Sequence, residues 1–204
     1  MPGTSDANPL ERARRSESAD DAKALYEEWA ERYDADVFDT MGVTGSRRIA
    51  DLLAEHVDDR RTSVLDLGCG TGEVGRHLAD HGFDTLTGID FSPAMLVVAR
   101  RRHVYRRLVE GDLGDPPTLP ERFGASVSAG TFTTGHVTAE AVPGLLALHA
   151  PGATIAWSVA PPFWPDFESA LRDASVEMLA NDLEPIRRDD DDRSHMVVAR
   201  LPGG

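Results

Sequence analysis

The order of strand and helix signals predicts an α/β fold: a Rossmann-like, doubly wound, mostly parallel sheet with helices on both faces and a C-terminal antiparallel strand pair. Three observations predict it. The run Val64-Leu65-Asp66-Leu67-Gly68-Cys69-Gly70-Thr71-Gly72 carries a short apolar stretch into alternate glycines, the pattern of a buried parallel strand turning tightly into a helix. Extended and helical periods then alternate up to residue 160, which requires parallel strands joined by right-handed crossovers. With 204 residues and 41% hydrophobic content, the chain suits one domain with a sizeable core.

Residues 1–19 are polar, contain Pro2, Gly3 and Pro9, and show no apolar period, so they read as a disordered tail in which Arg12, Arg14 and Arg15 are solvated. Residues 20–204 then form a single domain whose first part, 20–57, is a helical lid. The segment from Ser18 to Ala30 is its first helix, with Ser18 or Asp20 as cap and Ala22, Leu25, Tyr26 and Trp29 on one face. A second helix spans Ser46 to His56, with Ile49, Leu52 and Leu53 as its apolar stripe. Strands are expected at 63–67, 84–89, 105–109, 124–130 and 154–160, and helices at 72–81, 93–102 and 138–149. Asp166 to Asn181 reads as a helix, and Leu183–Arg187 and Met196–Leu201 as the terminal strands flanking the Asp189–Asp192 turn.

No run of 18 apolar residues occurs and the N-terminus lacks a signal-peptide pattern, so a cytoplasmic protein without membrane partners is expected. The formal charge of −14 argues against a nucleic-acid partner, which calls for a basic face. Among the basic residues only Lys23 is a lysine. Cys69 has no partner for an internal disulfide and fits its loop as a small space-filler. His77 and His81, at i and i+4, are the one metal-like spacing, and both suit a helix C-terminus better than a metal site.

Open sheets of this kind bind ligands at the carboxyl ends of their strands, where three acids fall in order. Asp66 precedes the glycine turn. Asp90 closes the second strand, where its carboxylate can accept from a ribose diol. Asp112 follows the third, placed to accept from an exocyclic amine while Leu113 packs on the ring.

These residues resemble the class I S-adenosylmethionine-dependent methyltransferases from about Tyr26 onward. The resemblance implies that Gly68, Gly70 and Gly72, with Cys69, hold the methionine part of S-adenosylmethionine and of its product S-adenosylhomocysteine. It further implies that Asp66 lies near the ammonium, Asp90 on the ribose and Asp112 on the adenine. The segments Tyr26–Val37 and Phe91–Leu96 look like a branch of small methyltransferase-like proteins of the Williams–Beuren-region type, which adds Tyr26, Tyr33, Phe91 and Met95 to the implied cofactor contacts, and Ala129 at the strand-four end is a further expected contact. Arg47 or Arg48 is expected to reach the cofactor carboxylate. Two alternatives stand beside this: an NAD(P)-binding oxidoreductase, because Gly70-Thr71-Gly72-Glu73-Val74-Gly75 also fits G-x-G-x-x-G, and a catalytically silent cofactor-binding module.

Methyl transfer needs positioning and, for some acceptors, a base. His136, with an unperturbed pKa of about 6.5, and Tyr33 are the catalytic candidates. The strand-four end, Ala129 to His136, lacks the Asn/Asp-Pro-Pro-Tyr run of enzymes that methylate planar nitrogens, so base and glutamine methylation are disfavoured. The expected acceptor is a small neutral or cationic molecule, taken up without a metal, with the aromatic run Pro161-Pro162-Phe163-Trp164-Pro165 as one candidate wall.

Overall fold

The computed structural model describes residues 19–133, 137–188 and 192–204. Residues 1–18 of the expected tail, His136, and Asp189 to Asp191 of the expected terminal turn lie outside the described residues. Seven strands form one sheet in the order β3-β2-β1-β4-β5-β7-β6. In chain order these are β1 (Val64–Leu67), β2 (Leu86–Asp90), β3 (Tyr105–Glu110), β4 (Phe123–Phe132), β5 (His149–Val159), β6 (Glu177–Pro185) and β7 (Arg193–Arg200). The first five pair in parallel, and β7 runs antiparallel to both β5 and β6.

The helices are α1 (Ala19–Asp34), α2 (Gly45–His56), α3 (Glu73–Asp80), α4 (Pro93–Arg100), α5 (Val142–Leu146) and α6 (Trp164–Asp173). A π-helical turn, Ala35–Thr40, extends α1. Alternation along the buried strands sends Val64 to one face and Leu65 and Leu67 to the other. Val64 joins Ile49 and Leu53 of α2 and Val74 and Leu78 of α3. Leu65 and Leu67 join Val142 and Leu145 of α5 and Phe167 and Leu171 of α6. Helices therefore cover both faces, and the doubly wound expectation holds.

Two elements differ from expectation. The helix expected over 166–181 instead spans Trp164–Asp173, because Ser175 adopts φ 56° and turns the chain. Residues 177–181 instead pair with Val197 to Arg200. The outer backbone groups of β7 are satisfied only by a neighbouring strand, so pairing overrides the helical pattern there. The 138–149 helix shrinks to a 3₁₀ turn at Ala139–Ala141 and the short α5, since Pro143 and Gly144 are poor helix interior residues and His149 already belongs to β5. Among the described residues no helix is long and apolar enough to cross a membrane.

Ahead of α2, Thr44 N donates to Ile186 O at 2.8 Å, and Val43 forms a bridge with Arg187. These bonds bring the N-terminal segment to the C-terminal strands, at the end of the sheet where β5 stops.

Candidate functional site

The glycine turn is shaped by backbone geometry. Gly68, Gly70 and Gly72 have φ of 71°, 52° and 87°, a region L side chains rarely adopt. A Cβ at Gly68 would strike the Thr131 hydroxyl, whereas one at Gly70 would meet nothing within 4 Å. Gly70 thus borders open space, while Gly72 is packed beneath Tyr105 and Arg102 and caps α3.

That open space is a cavity of about 130 Å³ at the carboxyl ends of β1 to β4. From the strand ends come Gly68, Gly70, Asp90, Phe91, Gly111, Asp112 and Leu113, with Met95 from α4. Ala129, Gly130 and Thr131 at the end of β4, with Thr133 and Val137 beyond it, form one wall, and Tyr26 and Tyr33 close it from α1. Sequence patterns pointed to the run after β4 but did not single out Thr131, Thr133 or Val137. Thr131 is fixed by its bond to Leu67 O at 3.1 Å.

Asp90 accepts from Gly70 N at 2.8 Å and from Ser92 N at 2.9 Å, which ties the second strand end to the glycine turn. Burial pushes its carboxyl up to about 6, against these backbone bonds, which lower it. Asp66 is also buried and lies behind the turn, outside the cavity wall. It accepts from the Tyr105 hydroxyl at 2.6 Å through Oδ2, and its Oδ1 has no hydrogen-bond partner. Burial carries Asp66 up to about 7; the Tyr105 hydroxyl opposes this and the neighbouring Asp90 charge adds to it. Asp112 is exposed at the rim, its Oδ1 accepting from Gly114 N at 2.8 Å.

The segment expected to act as a lid is tied to its neighbours by ion pairs and hydrogen bonds. Arg101 reaches Glu31 at 2.8 Å, and Lys23 reaches Glu110 at 3.0 Å. At the helix end, Asp34 accepts from the Thr71 hydroxyl and from Arg102, both at 2.5 Å, and Arg102 also donates to Thr71 O at 2.7 Å. Nothing in the periodicity signalled this Asp34–Arg102–Thr71 knot. Tyr26 stands edge-on to Phe91 with centroids 5.9 Å apart, and Tyr33 edge-on to Trp29 at 4.7 Å.

Several sequence candidates fall elsewhere. Arg48 is bound by Glu184 at 2.8 and 2.9 Å and so faces β6. Arg47 is exposed and outside the cavity wall, and its charge acts on His77. Cys69 is buried, its sulfur occupying the space a Cβ at Gly88 would need, and burial pushes its thiol upward. Trp164 is buried in the core and stacks on His195 at 4.7 Å, and Phe163 packs on the same core, so neither forms a cavity wall. His77 lies 3.3 Å from Glu73, and His81 is 2.6 Å from Asp51 on α2, so the two imidazoles serve separate contacts.

A second cavity of about 70 Å³ adjoins the first and shares Tyr26, Tyr33, Ala129, Gly130 and Thr133 with it. The π-helical turn, the start of α2 and the ends of β5, β6 and β7 enclose its other side.

Comparison with known proteins agrees with this architecture. The chain is 37% identical to human methyltransferase-like protein 27 over 125 residues, 59% of this chain and 51% of that one. It is 40% identical over 116 residues to a dTDP-3-amino-3,6-dideoxy-alpha-D-glucopyranose N,N-dimethyltransferase from Streptomyces fradiae, covering 56% of this chain and 44% of the relative. Over a shorter stretch of 72 residues, 35% of this chain and 25% of the relative, it is 43% identical to the 18S rRNA (guanine-N(7))-methyltransferase of Bos taurus. The chain thus spans about half or less of these relatives. A TehB-like S-adenosylmethionine-dependent methyltransferase from Corynebacterium glutamicum superposes with a TM-score of 0.66 at 22% identity, covering 87% of this chain and 98% of that one, which supports the fold. Residues 64–151 match the methyltransferase domain family, and that stretch holds the glycine turn, Asp90 and Asp112.

Proposed function

We propose that the chain binds S-adenosylmethionine in the first cavity and catalyses transfer of its methyl group to a small-molecule acceptor. The observation that carries this is the convergence of Gly68, Gly70, Asp90 and Asp112 on one cavity at the strand ends. The donor set fits the cofactor. Asp90 retains acceptor capacity for ribose hydroxyls beyond its backbone bonds, Asp112 suits an exocyclic amine, and Leu113, Met95 and Phe91 supply apolar surface for a ring. The partnerless Asp66 Oδ1 behind the turn leaves an acceptor for a cationic group.

When bound, the cofactor supplies an electrophilic sulfonium methyl, which leaves the protein to orient and to exclude water. Tyr33, which with Tyr26 lines both cavities, is suited to orient an acceptor against the cofactor site. The aminosugar relative supports a small acceptor. The rRNA relative supports a nucleic-acid acceptor, but the charge of −14 opposes a polyanion.

Calorimetry with S-adenosylhomocysteine and with NAD tests the cofactor: saturable binding of the first and none of the second is expected. Radiolabelled transfer to a metabolite panel and to ribosomal RNA tests the acceptor. Transfer to RNA alone would overturn the small-molecule reading.

A further inference from the structure

Resting on that reading, we propose that the second cavity is the acceptor subsite and that it takes a small uncharged amine. Its own walls are apolar where the N-terminal segment contributes Val37, Phe38 and Val43, and where Ile186 follows β6. Ser46, Ser158 and Ser194 add hydroxyls. The Ser158 hydroxyl accepts from Gly130 N at 3.0 Å, which steadies the wall shared with the first cavity. Among the described residues lining it there is no Asp, Glu, Lys, Arg or His.

An uncharged wall selects by desolvation. Moving a carboxylate or phosphate into it leaves a buried charge without a partner, which costs more than most acceptors gain on binding. An ammonium fits the aromatic faces of Tyr26, Tyr33 and Phe38, but it has no lone pair with which to attack. An alcohol needs a base to remove its proton, and among the described residues lining this cavity there is no histidine or carboxylate to take it. A neutral amine attacks with its own lone pair while its N–H groups donate to serine oxygens. As the N–C bond forms, the sulfonium S–C bond breaks with its electron pair going to sulfur. The surplus proton on nitrogen then passes to water.

Three measurements test the subsite. Calorimetry of S-adenosylhomocysteine checks the cofactor reading by itself, and its failure sinks that reading together with this one. The protein loaded with S-adenosylhomocysteine is then titrated by NMR with small aliphatic amines and with matched alcohols and carboxylic acids, and transfer is assayed on the same panel. Amines are expected to bind and react, acids to do neither, and kcat/KM to climb with pH toward the amine's own pKa of about 10. Ile186→Trp, which fills only the second cavity, should lower kcat/KM by about 10-fold or more at unchanged S-adenosylhomocysteine affinity, while Phe38→Ala should admit bulkier amines. With S-adenosylhomocysteine bound, the assignment is overturned if no amine binds or reacts, or if neither substitution alters acceptor use. It is equally overturned if alcohols are preferred, with a rate that levels off near pH 6.5 and is lost in His136→Ala.

Discussion

Asp90 holds the glycine turn and lines the cavity, so in the proposed cofactor site its protonation state is expected to set affinity. Hydrogen bonds from ribose hydroxyls favour the charged form, and the buried carboxyl titrates at about 6. Calorimetry should therefore show binding weakening as pH falls through about 6 and level above it. Asp90→Ala removes charge-assisted bonds worth about 1.5–3 kcal/mol, a loss of roughly 10- to 150-fold in affinity. Unchanged affinity in the folded variant would reduce Asp90 to a turn residue. Asp66 makes a different demand, on stability. Its carboxyl stands at about 7 in the fold against an ordinary value of 3.8, so between roughly pH 4 and 7 the folded state holds a proton that the unfolded chain has lost. Stability from this group is greatest below that window and declines as pH rises through it. Asp66→Asn mimics the protonated form and should raise Tm at pH 8, by about 2–4 °C for each kcal/mol recovered, with little change at pH 4. A drop in Tm at pH 8 would mean that Asp66 rests in a better-paired environment than its lone bond to Tyr105 implies.

At the scale of elements, α1 covers the cavity because its aromatic face has Phe91 and the strand ends to pack against and its acidic residues meet Arg101 and Arg102. The exposed Glu31–Arg101 pair contributes little. The Asp34–Arg102–Thr71 knot matters more, since it joins the helix end directly to the glycine turn. Residues 26–48 should gain hydrogen-exchange protection together with the turn when S-adenosylhomocysteine binds. Asp34→Ala should speed exchange across 26–40 even without ligand and weaken ligand binding about 2- to 12-fold, the equivalent of about 0.5–1.5 kcal/mol. Protection limited to the glycine turn would make the segment simple packing.

For the whole molecule the dominant surface property is a charge of −14. Like charges across the surface repel in the compact state, and this repulsion is long-ranged at low salt, where the Debye length is about 30 Å at 0.01 M against 8 Å at 0.15 M. The exposed ion pairs, such as Arg106–Asp84 and Arg107–Glu121, are weak and screened as well. Repulsion should win. Tm by calorimetry is expected to rise between 0.01 and 0.15 M salt, and a fall would show that these pairs outweigh the net charge.

The sequence by itself determined what depends on local geometry. Alternate glycines after an apolar run require a positive-φ turn, and Gly68, Gly70 and Gly72 adopt one. Strand periods located β1, β2 and β3, and a parallel sheet then brings every strand end to one rim, so Asp90 and Asp112 meet there although 22 residues separate them in the chain. The tertiary structure decided what depends on which distant surfaces meet. Arg48 pairs with Glu184 rather than the cavity because β6 lies beside α2, and residues 177–181 form a strand because the β7 edge needs a partner. The second cavity is of this kind: Phe38, Ser158, Ile186 and Ser194 carry no common motif, and only the pairing of β5, β7 and β6 and the bond from Thr44 to Ile186 bring them together. Local backbone rules act over a few residues and can be read along the chain, whereas contacts across the sheet exist only once the strands have found their neighbours.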